Sequence, residues 1–131
     1  PLAAQLANLR PQWVLHSDLS RTRRLATAIG KAAGCPVLAD PAWQERDFGN
    51  WEGQTWLAIY RASGNAMDGM LDAPDSFRPG GGETTFELAA RVAAAATALP
   101  EGSGIVVAHG GSIAALLGQR RGLAPREWLA L

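Results

Sequence analysis

Apolar and polar positions fall in blocks along the chain, and the period within the blocks changes from one to the next. Leu2, Leu6 and Leu9 have helical spacing and predict the last turns of an apolar-faced helix. Trp13-Val14-Leu15-His16, after Arg10-Pro11, is too short for a helix and predicts a buried strand. A helix follows, with Ser17, Asp18 and Ser20 as candidate caps. Leu25, Ala28, Ile29 and Ala32 form its stripe, and Gly34 and Pro36 stop it. Val37-Leu38-Ala39 predicts a second strand, and Asp40-Pro41 turns the chain out of it. Residues 42–53, aromatic and charged by turns and punctuated by Gly49 and Gly53, predict a folded loop. Residues 54–72 read as helix in pieces broken around Ser63-Gly64, and residues 74–82 as a Pro/Gly-rich loop. Thr84 or Thr85 caps an alanine-rich helix reaching about Leu99, with Phe86, Ala89, Val92 and Ala96 on one side and Pro100 as its stop. Gly104 to Ala108 predicts a third strand, His109-Gly110-Gly111 a sharp turn, and Ser112 to about Arg121 a last helix. Strands alternating with helices predict right-handed crossovers and a mainly parallel sheet covered on both faces. The expected fold class is α/β, a three-layer α/β/α sandwich in one domain over residues 1–131.

Composition narrows the function. The 131 residues carry 12 basic and 12 acidic side chains, a net charge of zero, which argues against a nucleic-acid or membrane-surface partner. Any charged ligand must then be met locally. Cys35 is the single cysteine, so neither a disulfide framework nor a clustered cysteine zinc site is expected, and no His/Cys/Asp group has metal-ligand spacing. No apolar run approaches the ~20 residues that span a bilayer, and Pro1-Leu2-Ala3 has no basic lead into an apolar stretch. The cytoplasm is the expected compartment. The missing initiator Met and the apolar ending Trp128-Leu129-Ala130-Leu131 read as a fragment or trimmed chain.

In a parallel sheet, ligands sit beyond the carboxyl ends of the strands, so the residues leaving each strand carry the candidate chemistry. His109 leaves the third strand, and Gly110-Gly111 let backbone N–H groups at the next helix approach an anion such as a phosphoryl group. The plainer alternative is a tight turn with His109 packed at its rim. An esterase oxyanion loop needs a Gly-x-Ser-x-Gly elbow, which the sequence lacks. After the first strand, Arg21, Arg23 and Arg24 open a helix, where cations are unfavourable unless an anion lies nearby. Arg21, nearest the strand end, is the candidate phosphate clamp. Arg23 and Arg24 suit a solvated or salt-bridged surface, and a solvated face for all three stays open. Glu45, in Gln44-Glu45-Arg46-Asp47-Phe48-Gly49-Asn50-Trp51-Glu52-Gly53, is a candidate proton donor, with ion pairing to Arg46 or Arg21 as the alternative. Trp51 and Trp56 fit core or lid packing better than base stacking.

Taken together, Ser17-Asp18-Leu19-Ser20-Arg21-Thr22-Arg23, Glu45 to Gly53, Pro79-Gly80-Gly81-Gly82-Glu83-Thr84 and Val107-Ala108-His109-Gly110-Gly111 resemble the histidine phosphatase superfamily, the phosphoglycerate-mutase-like family. Order and spacing match from about residue 2 to residue 126. The wording around Phe48-Gly49 and Pro79 to Glu83 looks most like α-ribazole phosphatases of cobalamin synthesis and their broad-specificity relatives.

The resemblance implies a phosphomonoester hydrolase working through a phosphohistidine, on a small phosphorylated metabolite such as α-ribazole 5'-phosphate, with no cofactor and no metal. Carried over to this chain, Arg21 and Gly110 bind the phosphoryl oxygens and His109 donates to the transferring group. Glu45 is the general acid, while Glu83 and Ser17 shape the substrate pocket. The partners implied are the phosphorylated metabolite or inorganic phosphate, and a homodimer is admitted. The family's nucleophile lies in an Arg-His-Gly motif after the first strand. That motif does not occur here, so the domain is expected to lack its N-terminal strand and its C-terminal end. His16, where the family has a small polar residue, is a substitute candidate. Two other readings stand beside the phosphatase: a phosphoglycerate-type mutase, disfavoured by the short loop after Gly53, and an inactive phosphate-ligand binder. Specificity is expected from the segment between Trp56 and Phe77, where Tyr60, Arg61, Met67 and Met70 suggest a partly apolar cap.

Overall fold

A computed structural model describes residues 1–131, the side chain of Leu129 excepted. In chain order the helices and strands are α1 (Leu2–Ala7), β1 (Trp13–His16), α2 (Ser20–Ala33), β2 (Val37–Ala39), α3 (Trp56–Ser63), α4 (Gly69–Asp72), α5 (Thr85–Thr97), β3 (Gly104–Val107) and α6 (Gly110–Arg120). Short 3-10 turns lie at Pro41–Trp43, Gly49–Trp51, Gly64–Asp68, Pro79–Gly81 and Pro125–Ala130. The fold class is α/β with a parallel sheet, as the alternation of elements predicts. The backbone divides into two compact units, residues 1–44 with 94–109, and residues 45–93 with 110–131.

The first unit holds the sheet, in the order β2-β1-β3. β1 is central, pairing Val14 with Val37 on one side and with Ile105 on the other, and all four of its residues are buried. β2 is an edge strand with all three residues exposed, so the expected cover on both faces does not extend to it. Val14, Ala26 and Ile29 are wholly buried, with Ala3, Leu6, Leu25, Cys35, Ile105 and Val107 packed around them. The stripe of α2 is therefore Thr22, Leu25, Ala26 and Ile29. Ala28 and Ala32, expected on that stripe, face outward because the strand contacts select the row at 22, 26 and 29, a spacing that stays on one helical face. The cap differs too. Leu19 is the N-cap, with no side-chain bond, and Ser20 is already the first helical residue. α1 likewise turns Ala3 and Leu6 inward and leaves Leu2 exposed, while Leu9, expected on its face, lies beyond its end and is exposed too. Gly104 is needed where it stands: a Cβ there would run into the indole of Trp13, whose Nε1–H donates to Glu101 O at 3.1 Å.

The second unit carries the helical pieces and the loops. The predicted break at Ser63-Gly64 falls between α3 and the 3-10 turn at Gly64–Asp68. α5 opens with a reciprocal cap: Thr84 Oγ1 accepts from Glu87 N–H at 3.0 Å and the Glu87 carboxylate accepts from Thr84 N–H at 2.9 Å. Its inner positions in this unit are Leu88, Ala89 and Val92, while Phe86, expected inside, is half exposed, since two residues before Leu88 is about 200° round the helix and so on the side away from Leu88 and Val92. α5 ends at Thr97, two residues short of the expected Leu99. α6 begins at Gly110, so the predicted glycine turn is instead its first turn. The loops at 47–52 and 79–83 interlock through Glu83 N–H to Asp47 O at 2.8 Å. Phe48 meets Trp56 edge-on at 5.6 Å between ring centroids, and Trp51 tilts against Phe77 at 6.0 Å, so both tryptophans pack against aromatic neighbours.

Candidate functional site

In the first unit, parallel pairing of β1 with β3 sets His16 opposite Val107, so the residues just beyond both strands emerge at one end of the sheet. There Ser17, wholly buried, and His109, 8% exposed, join at 2.8 Å between Ser17 Oγ and His109 Nε2. Ser17 Oγ also lies 2.8 Å from Thr22 Oγ1, which donates to Leu19 O at 2.9 Å. Each hydroxyl has a single hydrogen. Thr22 spends its hydrogen on a carbonyl, so Ser17 must donate to Thr22 and must accept from His109. The chain of bonds thus fixes a hydrogen on His109 Nε2 in either charge state of the ring.

His16 is pinned differently. Its Nδ1 accepts the N–H of Asp18 at 3.0 Å, which occupies the lone pair an attacking nitrogen needs and leaves the neutral ring's hydrogen on Nε2. Asp18 has a positive φ of 66°, a conformation Asp tolerates, and its carboxylate takes Arg23 at 2.7 Å on the surface. Arg21 is the second residue of α2, is exposed, and makes no hydrogen bond or ion pair among the described residues. It stands beside the helix N-terminus with all its donors open.

In the second unit, Glu45 accepts two backbone N–H groups, that of Arg46 at 2.9 Å on Oε1 and that of Gly111 at 3.0 Å on Oε2. The anion found at the N-terminus of α6 is therefore Glu45 itself. A Cβ on Gly111 would strike that carboxylate, whereas Gly110 faces open space. The alternative ion pair of Glu45 with Arg46 does not form: that guanidinium turns to Thr85 Oγ1 at 2.9 Å and to Glu83 O at 3.5 Å. Burial lowers the pKa of Arg46 from its ordinary value, against the opposing pull of Glu83 and Glu45. Glu83 is gripped by Arg91 through Nη2 to Oε1 at 2.8 Å and Nε to Oε2 at 2.9 Å, and Arg91 Nη2 also reaches Glu45 O at 3.3 Å. The hydrogen bonds to Glu83 raise the pKa of Arg91 further, against its burial. One arginine thereby positions both candidate carboxylate residues.

The sequence-predicted residues thus gather in two sets, Ser17 with His109 in the first unit, and Glu45 with Glu83 in the second through Arg91. Thr22, Arg46, Thr85 and Arg91 do not stand out as site residues in the sequence, where Arg46 is only an ion-pair alternative for Glu45 and Thr85 only a candidate cap. Arg91 had a signal: a cation three residues after Leu88 and next to Val92, on the inner side of an alanine-rich helix. Among the described residues no cluster of His, Cys, Asp and Glu could hold a metal ion, and no helix is long and apolar enough to cross a membrane.

A family model described as histidine phosphatase superfamily (branch 1) matches residues 1–131. The glucosyl-3-phosphoglycerate phosphatase of Mycolicibacterium vanbaalenii is 33% identical over 98% of this chain and 62% of its own length. A probable phosphoglycerate mutase of Erwinia tasmaniensis is 33% identical over 84% of this chain and 53% of its own length. A mycobacterial glucosyl-3-phosphoglycerate phosphatase solved with inorganic phosphate superimposes with a TM-score of 0.80 at 30% identity, covering 98% of this chain and 68% of that one. The chain thus spans about 62% of the length of the first of these relatives.

Proposed function

Because the chain belongs to the histidine phosphatase superfamily, we propose that its protein hydrolyses phosphomonoesters of small metabolites through a phosphohistidine. The observation that carries this reading is the buried run from His109 through Ser17 to Thr22 at the strand ends, which holds an imidazole in one orientation. In the proposed cycle the nucleophilic imidazole, in the Arg-His-Gly motif that these 131 residues do not contain, attacks phosphorus. The P–O bond to the leaving group breaks, and its electron pair stays on the ester oxygen, which takes a proton from Glu45. Water then attacks the phosphohistidine, gives a proton back to Glu45, and the P–N bond breaks to release phosphate. Arg21, with open donors at the start of α2, and the backbone at Gly110 would bind phosphoryl oxygens. His109 would stabilise the charge that builds on them. Glu83 and Ser17 would each contact the substrate, and the reading needs no cofactor. α-Ribazole 5'-phosphate is one candidate substrate, on the wording of the loops at Phe48-Gly49 and Pro79 to Glu83.

Release of phosphate from p-nitrophenyl phosphate by the full-length protein tests the reading. Activity is expected, with a collapse on His109→Ala. Full activity in that variant removes His109 from the site. The mutase-like relative favours a second reading: interconversion of phosphoglycerates with little phosphate released would move the protein to that class. Phosphate binding without either reaction would make it an inactive binder.

A further inference from the structure

We infer that a cavity beside Arg46 receives the leaving group of the substrate and selects a compact apolar body bearing a carboxylate; this rests on the phosphatase reading. The cavity, about 270 Å³, lies wholly within the second unit. It has room for about nine non-hydrogen atoms at the ~30 Å³ that a water occupies in the liquid. Met67, Met70, Leu71, Leu88 and Trp128 give it an apolar wall, and Arg46 is on its lining. A polyol would leave its hydroxyls unpaired against such a wall, whereas an aryl or short alkyl body would fit it.

Arg46 supplies the specificity. Its Nη1 is committed to Thr85 Oγ1 and Glu83 O, and Thr85 is saturated in turn because its hydroxyl donates to Met70 O at 3.0 Å. Nε and Nη2 have no hydrogen-bond partner among the described residues. Those two nitrogens form the edge of a guanidinium that takes a carboxylate through two parallel hydrogen bonds. The protein's own carboxylates do not fill that edge. Glu83 is held by Arg91, and the oxygens of Glu45 accept backbone N–H groups from Arg46 and Gly111. Asp68, also on the lining, is exposed and forms no ion pair with Arg46. The cavity is next to the proposed acid as well, since Gly111 both lines it and donates to Glu45. A leaving group seated there has its ester oxygen on the side of the group that would protonate it.

Phenyl phosphate, 3-carboxyphenyl phosphate and 4-carboxyphenyl phosphate share one body and differ in the carboxylate, so their kcat/KM values on the full-length protein test the inference. At least one carboxylated ester is expected to exceed phenyl phosphate by about tenfold or more, the size of one charge-assisted bidentate contact. Arg46→Met is expected to erase that ratio. Ala114→Leu, which fills the cavity from α6, is expected to lower kcat/KM on the preferred ester, and it decides the matter if Arg46→Met does not fold. Phenyl phosphate turnover with no preference among the three esters overturns the inference and leaves the phosphatase reading standing. A preference that survives Arg46→Met, or preferred-ester turnover indifferent to Ala114→Leu, overturns it too. Hydrolysis of none of the three, nor of p-nitrophenyl phosphate, overturns both.

Discussion

Replacing Thr22 by valine should move a hydrogen on His109, two bonds away along the hydroxyl chain. In the native arrangement Thr22 donates to Leu19 O, Ser17 donates to Thr22, and His109 Nε2–H donates to Ser17. Valine keeps the shape and removes both roles of the hydroxyl. Leu19 O still accepts from Arg23 N–H at 2.8 Å, so the carbonyl is not stranded. Ser17, wholly buried, does lose its acceptor. Its hydrogen then turns to His109 Nε2, and the neutral ring must carry its own hydrogen on Nδ1. Each neutral bond contributes about 1 kcal/mol net, so the variant should lose about 1–2 kcal/mol of stability. The same ~1 kcal/mol shifts the ratio of the two ring tautomers about fivefold toward Nδ1–H. Long-range 1H–15N correlation of the neutral imidazoles reads this directly, because protonated and unprotonated ring nitrogens resonate far apart. His16 is the internal control: its Nδ1 accepts from Asp18 N–H, so it stays Nε2–H in both proteins. Single His→Gln variants assign the signals. A native His109 carrying its neutral-form hydrogen on Nδ1, or a tautomer ratio unmoved by Thr22→Val, refutes the proton assignment.

Other consequences can be checked with less. Ala26→Leu should cost about 1–3 kcal/mol in urea unfolding, because Ala26 is wholly buried against Val14 and Ile29, while Ala28→Leu on the exposed side should stay within ~0.5 kcal/mol. Equal effects would mean that α2 is rotated from the register described. Glu87 has its carboxyl pKa lowered, first by the hydrogen bond from Arg78 and then by that from Thr84 N–H. Its contribution is therefore fully present above the ordinary Glu value of about 4.3 and is lost as pH falls through the lower folded value. Glu87→Gln should thus melt earlier than the parent at pH 6, and the gap should close toward pH 2; a gap that widens in acid has the wrong sign. Gly111→Ala drives a Cβ into the Glu45 carboxylate, and a kcat loss of about tenfold or more on p-nitrophenyl phosphate is expected with the circular dichroism unchanged. Unaltered kcat there would separate the Glu45–Gly111 bond from catalysis.

Much of this architecture is legible in the sequence, and the reason is local. β1 announces itself because Trp13, Val14 and Leu15 form an unbroken apolar run, which a strand buried on both sides requires. Gly34 stops α2 because the chain needs a left-handed residue there, at φ 69°. Thr84 with Glu87 three residues on is a capping box that decides between Thr84 and Thr85 as the cap. What misleads is the choice of face. Ala26, Ala28 and Ala32 are the same residue, so only the strands that α2 packs on decide which alanine is buried. Phe86 fails for the related reason that size suggests burial, whereas its place two residues before Leu88 sets it on the opposite side of the helix from Leu88 and Val92.

The candidate site divides along the same line. Charged and imidazole groups in unusual settings are conspicuous: His109 stands beside glycines, Arg21 among the cations that open α2 and Glu45 in an aromatic loop, whereas Glu83 comes from the family resemblance alone. The residues that orient them are not conspicuous, because their chemistry is ordinary until geometry supplies a partner. A threonine in the first turn of a helix is common; Thr22 matters only because Leu19 O consumes its one hydrogen and so dictates those of Ser17 and His109. Arg46 is an obvious ion-pair partner for Glu45, its neighbour in sequence, yet the two side chains find different partners. Its guanidinium turns to Thr85 instead, 39 positions along the chain, and Glu45 takes backbone N–H groups. Proton positions and free donor edges are properties of closed hydrogen-bond chains, and no window of sequence contains a closed chain whose members stand 92 residues apart, as Ser17 and His109 do.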